Sequence, residues 1–227
     1  MGVNNKAPLE ERLIERDIND LYLLHGFLKD ARARLNKGFR IAGLDEREDR
    51  AYWAKGLLIV TRKLIEADPI PGWRVKHLND SLQLLNDSSG LTVRITKEYA
   101  FGGGLAPAGH NKARRAVYAQ DTLREVGDFP ITLSGQPTLD DVTMFITWAL
   151  LRDGSFELLA QKPCGTGHFR QGAPVSLVIP VPTTRNELRF PAKSSSAPLH
   201  VDTTMTIDSE GREIVSGIQQ TVENERV

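Results

Sequence analysis

Up to about residue 125, apolar residues recur mostly at helical spacing. Beyond it they fall in short β-rich runs split by Gly, Pro and Asp-Gly turns. Over residues 9–35, Ile14, Leu21, Leu28 and Leu35 repeat every seven residues, and Ile18, Leu24 and Ala31 widen the stripe. Glu10, Glu11, Arg12, Asp17 and Lys29 lie mostly off that stripe, which predicts an amphipathic helix. Asn36, Lys37 and Gly38 supply a stop signal. The stripe is short for a coiled coil, so a core helix is expected. A second helix is predicted from Asp45, whose spacing to Glu48 matches a capping box, and it ends at Asp68-Pro69. A third is predicted over 73–86, with Val75, Leu78, Leu82 and Leu85 on one side.

Residues 86–90 read as a turn, and Leu91 to Thr96 alternate as a strand. A glycine-rich stretch follows, then a helix predicted over 111–126 with Ala113, Val117, Gln120 and Leu123 facing inward. Runs at 142–151 and 155–161 flank Arg152-Asp153-Gly154, a hairpin signal. Further strands are predicted at 175–181, 188–190, 199–207 and 213–218, the last two joined by a turn over 208–211. The fold class expected is α+β: a helical region over 1–90, a strand, basic loop and helix over 91–127, and an antiparallel β-sandwich or open-barrel domain over 128–227. Trp53, Trp73 and Trp148 are expected in the core.

Charge divides the chain differently. Residues 1–70 hold 13 Lys+Arg and 12 Asp+Glu, a net of +1; residues 71–124 hold 8 and 4, a net of +4; residues 125–227 hold 8 and 13, a net of −5, so the whole is +0. The basic middle either meets an anionic partner or complements the acidic half of its own chain. Cys164 is the one cysteine, which excludes an internal disulfide and fits a reducing, cytoplasmic compartment. No apolar run approaches a membrane span, and the N-terminal residues lack the apolar core of a signal peptide.

The candidate chemistry lies in two loops. Gly102, Gly103 and Gly104 precede His110, Lys112, Arg114 and Arg115, a strand–glycine loop–helix order that suits an anion or a partner's backbone. Gly104 and Gly109 have the glycine spacing of a P-loop. His110 and Asn111 stand where lysine and a hydroxyl residue are needed, so a true P-loop is not expected. This segment is expected to be exposed and ordered by its partner. The second loop carries Cys164, with Thr166, His168 and Arg170 as ligand-holding groups. Together with His200 and Asp202, Cys164 defines the alternative of a cysteine hydrolase. His168, His200 and Asp202 have ligand chemistry, but no metal-binding spacing is present and neither a metal nor a cofactor is expected. Arg74 and His77 are closer in sequence than the Arg–His pair of helical ribonucleases. The function expected is non-enzymatic: an assembly or regulatory binding protein, with a protein partner or a second copy. A phosphate- or nucleic-acid-binding module through residues 102–115 is a further alternative.

Overall fold

Strands from both sides of residue 125 lie in one sheet. The computed structural model describes residues 7–46, 48–76, 81–100, 104–125, 130, 137–185, 206–207 and 213–214. The chain divides into two units, Met1–Leu188 and Arg189–Val227. The first begins with α1 (Leu9–Asn19), a 3-10 turn (Asp20–Leu23), α2 (Leu24–Ala42) and α3 (Arg50–Ala67). There follow β1 (Trp73–Val75), β2 (Leu82–Asn86), β3 (Thr92–Lys97), α4 (Lys112–Tyr118), β4 (Thr143–Leu150), β5 (Phe156–Pro163) and β6 (Val175–Pro180). In the second unit β7 (Thr206–Ile207) and β8 (Glu213–Ile214) pair antiparallel, Thr206 opposite Ile214. The strand expected at 188–190, the rest of those at 199–207 and 213–218, and the turn at 208–211 lie outside the described residues.

The sheet runs in the order β1-β2-β3-β4-β5-β6. β3 and β4 are parallel, Thr92 opposite Thr143, and every other neighbouring pair is antiparallel. The α+β class holds, but the expected antiparallel sandwich or open barrel is corrected to one unclosed mixed sheet. The physical reason is the crossover. From β3 the chain passes through α4 and returns to pair in the same direction, which no tight hairpin allows.

Alternation divides the sheet into two faces. Leu82, Leu84, Val93, Ile95, Met144, Ile146, Trp148, Leu158 and Ala160 point to one side, where Ile14, Ile18, Leu24, Leu28, Trp53, Leu57 and Ile65 from the helices join them in the main core. All three tryptophans are buried, and Trp148 meets both Trp53 and Phe156 edge-on. On the opposite face, Leu105, Ala108 and Tyr118 from the crossover cover Phe145.

The helical layer follows the apolar stripe with three local differences. The predicted first helix is α1 and α2 joined by the 3-10 turn. Gly38 does not stop it; Gly43 does, with φ 69°, while Gly43 N–H bonds Arg40 O and Leu44 N–H bonds Phe39 O in a left-handed cap. Asp45 Oδ1 accepts from Glu48 N–H as expected. In return Asp45 N–H donates to Asp49 Oδ2, and α3 begins at Arg50. Trp53 Nε1 then donates to Asn36 Oδ1 at 2.7 Å, tying α3 to α2.

The third predicted helix, 73–86, is replaced by β1 and β2, paired with Trp73 opposite Asn86. Leu82 and Leu84 enter the helix-facing core while Gln83 enters the other face, so the strand period prevails. The fourth predicted helix ends early, at Tyr118. Gln120 leaves it: its Nε2 donates to Thr143 O at 2.7 Å and its Oε1 accepts from Thr143 N–H at 2.9 Å, a side-chain imitation of strand pairing. The β4–β5 hairpin forms as predicted. Gly154 takes φ 86° and Asp153 Oδ1 accepts from Ser155 N–H and Oγ.

Candidate functional site

A row of residues across the sheet face opposite α1–α3 builds the site: Gln83 on β2, Arg94 on β3, Phe145 on β4 and Gln161 on β5 are register partners in sequence. The Arg94 guanidinium carbon stands 5.9 Å from the Phe145 ring centroid. The Tyr118 ring packs on Phe145 with centroids 4.8 Å apart, and the Arg114 guanidinium carbon lies 5.4 Å from the Tyr118 centroid. Arg114 Nη2 donates to Tyr118 Oη at 3.2 Å. Two cations therefore flank two rings that meet at a tilt of 59°, each cation held by cation–π attraction.

Neither Arg94 nor Arg114 forms an ion pair among the described residues, and Arg94 Nε is buried with no hydrogen-bond partner. Burial pushes the Arg94 guanidinium below its ordinary pKa; the Tyr118 hydroxyl opposes that shift and the Arg114 charge adds to it. Gln83 is 2% exposed, donates Nε2–H to Ser81 Oγ at 2.9 Å, and keeps Oε1 buried without a partner. Gln161 donates to Thr147 Oγ1 at 2.8 Å.

The expected site residues distribute unevenly around this row. Gly102 and Gly103 lie outside the described residues. Gly104 has φ 68°, donates its N–H to Glu98 Oε1 and accepts at its carbonyl from Tyr99 N–H, which ties it to the residues just after β3. The segment after it is pinned: Ala173 N–H bonds Leu105 O and Ala108 N–H bonds Thr166 O, both at 2.8 Å. His110, Lys112, Arg114 and Arg115 are exposed. α4 is seven residues long and Asn111 Oδ1 already accepts the Arg114 N–H, so its N-terminus offers no open anion cradle.

Cys164 is half-buried at the end of β5, with its N–H bonded to Pro174 O. His200 and Asp202, its proposed partners, lie outside the described residues. Thr166 and His168 line an open recess of about 470 Å³ inside the β5–β6 connection. Arg170 is exposed with φ 68°, donates its N–H to Tyr99 Oη and lies over Phe169. Arg74 is paired with Asp87 at 2.8 Å, and His77 lies outside the described residues. Among the described residues no cluster of three His, Cys, Asp or Glu side chains forms, and no helix is long and apolar enough to cross a membrane.

Sequence reasoning missed Arg94, Tyr118 and Gln83. The signal for Arg94 was present: in the alternating run from Leu91 to Thr96 it falls opposite Val93 and Ile95, the side left for a polar purpose. Comparison with family models, with curated proteins and with solved structures gives no match to this chain.

Proposed function

We propose that this chain is a cytoplasmic binding protein, acting in assembly or regulation, that receives an anionic surface of its partner against α4. One observation carries the reading. Lys112, Arg114 and Arg115 stand exposed on one short helix and form no ion pair among the described residues. Other cations of the basic middle are occupied: Arg74 holds Asp87, and Arg124 holds Asp141 and Glu10. Unpaired like charges on a surface repel one another, and an anionic partner turns that cost into attraction and speeds encounter. The partner is a protein with an acidic face, a second copy of this chain among them, since residues 125–227 carry a net charge of −5.

The test is elution from a heparin matrix, which presents a dense anionic surface, together with the native mass at low and high salt. The full chain is expected to be retained at low salt, and the Lys112→Ala, Arg114→Ala, Arg115→Ala triple variant to elute earlier with an unchanged circular dichroism spectrum. Identical elution and identical native mass for the two proteins reject the reading.

A further inference from the structure

We infer that Phe169 and Arg170, at the tip of the β5–β6 connection, dock into a second copy of this chain, in the recess between its α2 and the base of its β4–β5 hairpin. This rests on the binding reading above and names the partner: among acidic proteins, another copy.

Phe169 is 69% exposed, and the Arg170 guanidinium carbon lies 5.6 Å from its ring centroid. A narrow turn holds the pair at the tip, with His168 N–H bonded to Gly172 O at 3.2 Å and Gln171 N–H to His168 O at 3.1 Å. The connection is anchored at three further points. Cys164 N–H bonds Pro174 O, Thr166 O accepts from Ala108 N–H, and Tyr99 Oη accepts from Arg170 N–H. A ring ordered before binding loses little entropy when it docks. Arg170, at φ 68°, is the only non-glycine with a positive φ among the described residues. Glycine would take that backbone without strain. A strained arginine beside an exposed aromatic ring has the chemistry of an interface anchor.

A recess of about 630 Å³ opens beside α2, with Leu151, Leu158 and Val181 among its lining residues. It is preformed: His25 Nε2 meets Val181 O at 3.1 Å, and Arg32 Nη1 donates to Gly154 O at 3.0 Å, so α2 is fixed to the strands on both sides. Recesses of about 300–1,000 Å³ bury whole small ligands, so one phenyl ring has room. The charged lining residues are Lys29, Asp153 and Glu157, a net of −1, and both carboxylates are exposed. Arg170 brings the complementary charge with the ring.

One copy cannot fill its own recess. The recess lies against α2, on the helical side of the sheet. The Phe169 connection is bonded to Leu105 and Ala108 of the crossover, which cover Phe145 on the other side. The sheet stands between ring and recess, so the ring that enters belongs to another molecule. Ala108 is also only four residues, at most about 14 Å of chain, from the start of α4 at Lys112. The same encounter therefore brings the α4 cations to the receiving copy.

The experiment is sedimentation velocity of the full chain over a concentration series. Reversible self-association is expected. Phe169→Ser and Arg170→Gly are each expected to weaken it by about tenfold or more, the scale of a lost interface anchor. Arg170→Gly relieves the left-handed backbone, so its fold is retained. Gly26→Arg places bulk and a like charge at the recess, where an added Cβ meets nothing within 4 Å, and is expected to weaken association as strongly. Mixing Phe169→Ser, whose recess is intact, with Gly26→Arg, whose ring is intact, is expected to restore a one-to-one pair that neither forms alone. If Gly26→Arg fails to fold, the two loop variants still decide. A monomer at every concentration, unchanged association in any of the folded variants, or no pair in the mixture of folded variants overturns the contact. The two readings fail separately. A monomeric parent chain with earlier heparin elution of the Lys112, Arg114, Arg115 triple variant rejects the recess contact alone. Association that Phe169→Ser abolishes, while the triple variant keeps the parent's elution and native mass, rejects the α4 reading alone.

Discussion

Lys162 Nζ lies 2.7 Å from Glu10 Oε1, with both side chains shut off from solvent, joining α1 to β5 across 152 positions of sequence. Arg124 completes the clasp. Its N–H donates to Glu10 Oε2 at 2.7 Å, and its guanidinium meets Asp141 through two bonds at 2.8 and 3.0 Å. Hydrogen bonds to the Asp141 and Glu10 side chains, and the charges of both, raise the Arg124 pKa against the opposing effect of burial.

Breaking one side of this clasp leaves a buried charge unmatched. Glu10→Gln is expected to lower stability by about 3–5 kcal/mol, as is typical when a buried pair loses one partner. The double change Glu10→Leu with Lys162→Met is expected to recover part of that loss: neither of these two charges remains to be desolvated, while the Arg124 N–H still loses its Glu10 acceptor. Urea unfolding of both variants measures the difference. A double variant as unstable as the single one rejects this account.

Gly90 has φ 78°, and a Cβ there would stand 2.8 Å from Asp140 Cβ and 2.9 Å from Asp140 Cα. Both the left-handed backbone and the contact with main chain resist a side chain. Gly90→Ala is therefore expected to cost about 2–4 kcal/mol, the sum of left-handed strain and overpacking. A thermal midpoint within a degree of the parent chain rejects this. Gly38, with an open space where its Cβ would go, is the matched control, and Gly38→Ala in the interior of α2 is expected to stabilise by about 0.5–1 kcal/mol.

Asp17 on α1 is buried beside Arg16, with its Oδ2 unpartnered. Burial raises its pKa above the ordinary value; the nearby Ser89 side chain and the Arg16 charge only partly oppose this. The folded chain thus holds the Asp17 proton more tightly than the unfolded chain. That contribution to stability is complete below the unfolded pKa and is lost as pH rises through the folded one. Relative to the parent, Asp17→Asn is expected to gain stability as pH increases across that window. A difference between the two proteins that stays flat, or runs the other way, rejects the assignment.

The parts of the fold written in local spacing were legible. Ile14, Ile18, Leu21, Leu24 and Leu28 all reach the core, and Asp153-Gly154 forms its hairpin. What failed had two local solutions or none. Leu78, Leu82 and Leu85 fit a helical period, but Leu82 and Leu84 fit a strand equally well, and only the pairing of β2 with β3 decides between them. Gly38 and Gly43 are the same residue to a reader of sequence; the bond from Leu44 N–H to Phe39 O selects the second. The parallel register of β3 with β4 has no local signature. The candidate site suffers for the same reason: Lys112, Arg114 and Arg115 announce themselves as a cluster, whereas Arg94 joins them only once the crossover lays Tyr118 on Phe145.

That crossover also sets an order of events. Thr92 must find Thr143 before the middle of the sheet exists, and the 50 residues between them must first be drawn into a closed loop. Hairpins such as β4–β5 close within microseconds, but a non-local parallel pairing pays its loop entropy before any contact rewards it. During synthesis β1–β3 therefore emerge with an unsatisfied edge and wait for β4. For this chain, the pace of folding and the hazard of aggregation are both governed by one seam in the sheet.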